Sequence, residues 1–138
     1  MTTHLDLDLH AAPMAICRLG PDEPTPAWVE AAAGPLVSVT RTPDEVSVVA
    51  AEQHVPPDVQ AMTGWRALSV RGPLAFSLTG ILASLAVPLA EAQVPIFVVS
   101  TFDTDWLLVG IDRLDAAVAS LEAAGHRIHR PRSMDLSV

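Results

Sequence analysis

The chain has 138 residues, 50% of them hydrophobic and 17% charged, and its sixteen Asp and Glu outweigh eight basic residues, all Arg, for a formal charge of −8. So much apolar surface excludes a disordered acidic tail, and the acidic balance argues against a phosphate-binding surface for DNA or RNA. The length suits one domain or two small modules sharing a core, not an ordinary multidomain enzyme.

Taken in chain order, Leu5 to His10 alternates apolar and polar residues with period two, which predicts a strand with one wet face. Met14 to Leu19 reads as a strand and Pro26 to Ala33 as a short helix. Leu36–Thr40 and Val46–Ala50 read as a hairpin turning at Thr42-Pro43-Asp44-Glu45. Where a second helix would follow, Glu52 to Met62 contains Pro56-Pro57, which allows no more than about a turn of helix.

The second half is more regular. Trp65 to Val70 predicts a strand ending at Gly72-Pro73. Leu74, Leu78, Ile81, Leu82, Leu85 and Leu89 then recur at helical spacing, with Ser77 as the cap and Pro88 as a kink or an early end. Pro95–Thr101 and Asp105–Val109 predict a hairpin turning at Phe102-Asp103-Thr104. The helix after it carries Asp112 as N-cap, Leu114, Val118 and Leu121 as its apolar stripe and Gly125 as its left-handed stop, before a last strand from His126 to Arg130. The order β-α-β-β-α-β is a ferredoxin-like module, and the first half repeats it incompletely. The expected organisation is therefore α+β, with a degenerate module over 1–62 and a complete one over 63–138.

Compartment and membrane follow from simple patterns. The single cysteine, Cys17, forms no internal disulfide, and the start Met1-Thr2-Thr3-His4 has neither the basic nor the apolar region of a signal peptide, so a cytoplasmic protein is expected. Gly72 to Ala90 carries no charge and is long enough to span a bilayer, but its prolines, hydroxyls and one-sided apolar pattern predict a buried helix.

Four groups of residues bear on chemistry. Ser77 and Thr79 stand at a helix start, where free N–H groups suit a carboxylate; a nucleophilic Ser77 would need a Gly-x-Ser-x-Gly elbow, which is missing. Ser100, Thr101, Asp103, Thr104 and Asp105 surround the hairpin turn. Their hydroxyls and carboxylates either build the turn or receive an ammonium group, and two carboxylates are too few for a dedicated divalent-cation site. His126 and His129 fall on opposite faces of a strand and are read, with His4 and His10, as surface residues. Cys17 lies among apolar neighbours and reads as a small hydrophobe. Phosphate loops, cysteine pairs and His-Glu metal motifs are missing, so no cofactor and no enzymatic activity are expected.

The runs Trp65–Leu85 and Ile96–Val109, and less closely Ala15–Leu19 with Leu36 and Ser38–Thr42, resemble small tandem ACT-domain proteins. These are relatives of the regulatory part of aspartate kinase and of the animal cytosolic arginine sensor. The resemblance implies a non-catalytic protein that binds a small amino acid between modules or at a homodimer interface. It points to Gly72, Pro73, Phe76, Ser77, Leu78 and Thr79 on one side of the ligand and Ser100, Thr101, Asp103, Thr104 and Asp105 on the other. The family often has Tyr where this chain has Phe102 and Trp106, so hydroxyl contacts from those rings are lost. The alternative is a dimerising protein-protein interaction module whose pocket is vestigial.

Overall fold

The computed structural model describes residues 4–72 and 80–131. Two compact units divide the chain, Ala12–Trp65 and a second made of Met1–Ala11 with Arg66–Val138. Each is α+β, as the patterning predicts.

In the first unit, β2 (Met14–Leu19), α1 (Ala27–Ala31), β3 (Ser38–Arg41), β4 (Val46–Ala51) and the opening of β5 (Gln60–Val70) lie in the strand order β3-β4-β2-β5. Ala15, Cys17 and Leu19 of β2 alternate with residues on the other face and meet Val46, Val48 and Ala50 of β4 and Val29 of α1 in one apolar cluster. The Thr42 hydroxyl accepts the N–H groups of Asp44 and Glu45, both at 3.2 Å, which fixes the β3–β4 turn. The second helix is reduced to a 3-10 turn over Glu52–His54. Strand β5 begins at Gln60, five residues before the expected Trp65. Its first half, Gln-Ala-Met-Thr-Gly, has a glycine and an exposed Met62 in place of buried β-branched residues, and pairing with β2 makes it a strand.

In the second unit β1 (Asp6–Leu9), the end of β5, α2 (Ile81–Glu91), β6 (Ile96–Ser100), β7 (Asp105–Gly110), α3 (Leu114–Ala123) and β8 (Arg127–His129) form the ferredoxin-like order with one addition. Strand β1 stands between β5, to which it is antiparallel, and β8, to which it is parallel. The spatial order is therefore β6-β7-β5-β1-β8. Leu7 and Leu9 point inward as the alternation requires and join Leu68, Val70, Leu85, Leu89, Leu107, Leu121 and Ile128. Leu85, Leu89, Leu107 and Leu121 are fully buried, and each such side chain contributes roughly 1.5–3 kcal/mol by leaving water.

The helix ends explain the connections. At the C-terminus of α2 the Gln93 amide bonds to the Ala90 carbonyl at 3.0 Å and the Val94 amide to the Leu89 carbonyl at 2.9 Å, with Gln93 at φ 61°. The end of α3 repeats this geometry through Gly125 (φ 97°) and His126. Both are Schellman motifs, and only the second has the glycine that a left-handed residue favours. Asp112 does not cap α3. The chain enters that helix through a 3-10 turn over Ile111–Arg113, and Asp112 folds back over Gly110, where an added Cβ would stand 2.7 Å from its Oδ1. Arg113 occupies the N-cap position and donates to the Ala92 and Gln93 carbonyls at 3.1 and 3.0 Å, closing the end of α2.

Pro88 sits inside α2 and cannot donate to the Ser84 carbonyl. His126 supplies the missing bond. Its Nε2–H donates to that carbonyl at 2.9 Å while Nδ1 accepts the Leu5 N–H at 3.1 Å. His126 is thus a buried structural histidine, 5% exposed, and the expectation of a surface residue is corrected.

Candidate ligand-binding site

The hairpin β6–β7 carries five of the residues singled out from the sequence. Ser100 and Asp105 face each other in register across the two strands, and the Ser100 hydroxyl donates to Asp105 Oδ1 at 2.6 Å. The turn between them is closed three times by one residue pair. The Thr101 amide and hydroxyl both donate to the Thr104 carbonyl, at 2.8 and 3.0 Å, and the Thr104 amide donates back to the Thr101 hydroxyl at 3.3 Å. Thr104 then turns its own hydroxyl to the Val70 carbonyl at the end of β5, at 2.6 Å.

These bonds sort the candidates. Thr101 and Thr104 hold the turn and staple it to β5, two residues before Gly72, so their side chains are committed to architecture. Asp105 gives one oxygen to Ser100. Asp103 and the ring of Phe102, 81% exposed, stand at the tip. Pro73, Phe76, Ser77, Leu78 and Thr79 lie outside the described residues. The described part of α2 starts at Ile81, with Gly80 at the N-cap in a left-handed conformation (φ 78°). Asp103 at the tip and Asp105 beside Ser100 are the carboxylates of this hairpin, each able to accept from a cationic donor.

A second polar group, not anticipated from the sequence, occupies the wet face of β1. Arg71 grips Asp8 through Nε and Nη2 at 2.9–3.1 Å, and that bond is the main reason the Asp8 carboxyl lies below its usual range. His129 donates to Asp6 at 2.9 Å and lowers it in the same way, with the charge of Arg127 adding to the effect. His10 shares a hydrogen bond with Ser69 at 2.8 Å and stacks on Trp106 with ring centroids 5.0 Å apart. Burial pushes its pKa down. The alternation of Leu5 to His10 announced this face, but its partners lie 59 to 123 residues away. Burial also pushes the Cys17 thiol up, away from the reactive thiolate. Among the described residues no group of three or more His, Cys, Asp or Glu is placed to hold a metal ion, and no helix is long and apolar enough to cross a membrane.

A crystallographically characterised protein from Agobacterium tumefaciens is 38% identical to this chain over 95% of it and 96% of the other, with a TM-score of 0.88. The ACT domain family matches residues 60–123, and a family of N-terminal domains matches residues 13–58. The chain belongs to the ACT-domain family. The regulatory subunit of aspartate kinase from Thermus thermophilus, in its ligand-free form, shares the ACT fold at 16% identity and a TM-score of 0.62, over 90% of this chain and 99% of that one. A Vibrio cholerae protein of unknown function, described as a possible transport protein, shares it at 15% identity and 0.71, over 88% and 90%. The ACT match opens at Gln60, so it takes in all of β5, the strand whose first half the sequence pattern concealed.

Proposed function

We propose that the protein is a non-catalytic regulatory module that binds a small amino acid at the edge of its C-terminal ACT unit. The observation that carries this reading is the β6–β7 turn stapled to the end of β5, with the carboxylates of Asp103, in the turn, and of Asp105, opposite Ser100. In the mechanism, those carboxylates receive the ligand's ammonium group. The segment running from Gly72 through Pro73, Phe76, Ser77, Leu78 and Thr79 lies against the ligand, and amides at the start of the helix receive its carboxylate. Three or four charge-assisted bonds of roughly 1.5–3 kcal/mol each support about micromolar affinity once ordering costs are met. A second copy of the chain completes the site in a homodimer, and the ligand acts by favouring one interface geometry over another. The regulatory subunit of aspartate kinase, which shares the fold, supports a regulatory role.

Isothermal titration and thermal melts against a panel of amino acids test the proposal. The expected result is one saturable ligand whose binding is lost in Asp103→Asn/Asp105→Asn. No heat and no melting shift with any amino acid at millimolar concentration sinks it. The exposed Phe102, Leu82 and Val87 favour the second reading, a dimerising interaction module with a vestigial pocket. Self-association or partner capture indifferent to every amino acid supports that reading instead.

A further inference from the structure

The first unit contains a cavity of about 450 Å³ lined by Ala12, Pro13, Ala51, Glu52, Gln53 and Thr63. It lies where β2 and β5 lose register. Between the pairs Met14↔Trp65 and Ile16↔Met62, strand β5 advances by one residue more than β2, a bulge at Thr63-Gly64 with Gly64 at φ 78°. Bulges bend a strand away from its neighbour and open such spaces. The Gly64 amide, turned out of the ladder, donates to Glu52 Oε2 at 3.0 Å, and Glu52 is itself fixed by its own amide on the Pro13 carbonyl at 2.9 Å.

Satisfying the Gly64 amide needs only an acceptor, and a neutral side-chain amide would do. Here the acceptor is a half-buried carboxylate beside the apolar surfaces of Ala12, Pro13 and Ala51. No basic side chain lines the cavity, and no ion pair engages Glu52 among the described residues. A carboxylate with no counter-charge beside it is free to accept charge-assisted hydrogen bonds from a cationic ligand. We infer that this cavity is a binding site for a small aliphatic amine, with Glu52 receiving its ammonium group, the three apolar residues its hydrocarbon chain, and Thr63 and Gln53 adding polar contacts. The volume falls in the range of small-molecule sites. With no cation there to meet a carboxylate, an amine fits and a free amino acid does not, which separates this site from the one proposed on the C-terminal unit.

The test is an amide NMR titration of the full chain with n-butylammonium and, separately, n-butyrate. The expected result is a saturable shift of the Thr63 and Gly64 amides with the amine and none with the acid. Glu52→Gln keeps an acceptor for Gly64 and weakens amine binding by on the order of tenfold or more. Ala12→Leu keeps the carboxylate and crowds the apolar side of the cavity, and it also weakens the shift; it decides the matter alone if the first variant does not fold. No saturable shift, an equal response to butyrate, or undiminished binding in either folded variant overturns the inference.

Discussion

Replacing His126 by Phe should expose a dependency between a proline and a histidine that lie 38 positions apart in the chain. Pro88 leaves the Ser84 carbonyl without its helical donor, and His126 makes good that loss while also accepting the Leu5 amide. The Phe ring fills the same buried space but serves neither group. A buried group left unpaired costs about 1–3 kcal/mol. Both bonds are only partly buried, so the lower half of that range applies to each and the expected loss is about 2–4 kcal/mol. Urea unfolding followed by tryptophan fluorescence measures it. The decisive version is a cycle with Pro88→Ala. That substitution restores the N–H, the Ser84 carbonyl regains its helical bond, and His126→Phe should then cost about 1 kcal/mol less. Strict additivity within about 0.3–0.5 kcal/mol, or a loss under about half a kcal/mol in the single variant, would refute the reasoning.

Gln93 carries a left-handed backbone at the end of α2, where glycine is the favoured residue. Gln93→Gly should therefore raise the unfolding free energy by roughly 0.5–1 kcal/mol, read as a higher melting temperature. Thr104→Val removes the hydroxyl that staples the hairpin to β5 while nearly keeping its shape. We expect a loss of about 1 kcal/mol in denaturant titrations and faster hydrogen exchange at the Thr101–Asp105 turn. Acid should weaken the fold through His10, whose pKa is lowered by burial. The unfolded chain takes up that proton first, so stability falls as pH drops below about 6.5, and His10→Gln should flatten this limb in denaturation midpoints taken at about pH 7 and pH 5. Asp6 and Asp8, held below their usual range, contribute stability that is present above their unfolded value of 3.8 and lost as pH falls through their folded values.

Periodicity carried most of the fold. The Ile81, Leu85 and Leu89 stripe, the strand β7 and the alternation before His10 are local signals, and each led to its element. What escaped depended on partners distant in sequence. Gln60 to Gly64 becomes a strand only because β2 lies beside it, and His126 looks like any strand-end histidine until Pro88 leaves a carbonyl for it to serve. Asp112 had the right identity for a cap, but a 3-10 turn moved the helix start one residue past it. At the candidate site, the residue types around the turn at Asp103 were legible. Their division of labour was not, because it is set by the 2.6 Å bond from Thr104 to Val70, across a strand pairing that no local pattern specifies.

The placement of β1 also governs how the protein is made. The C-terminal unit takes an interior strand from residues 6–9, and one of that strand's two neighbours ends at residue 129. A nascent chain therefore cannot pair both edges of β1 until β8 has left the ribosome, while Ala12–Trp65 has every strand of its own sheet available much earlier. Contacts spanning more than a hundred residues raise the unit's contact order, and high contact order goes with slow folding.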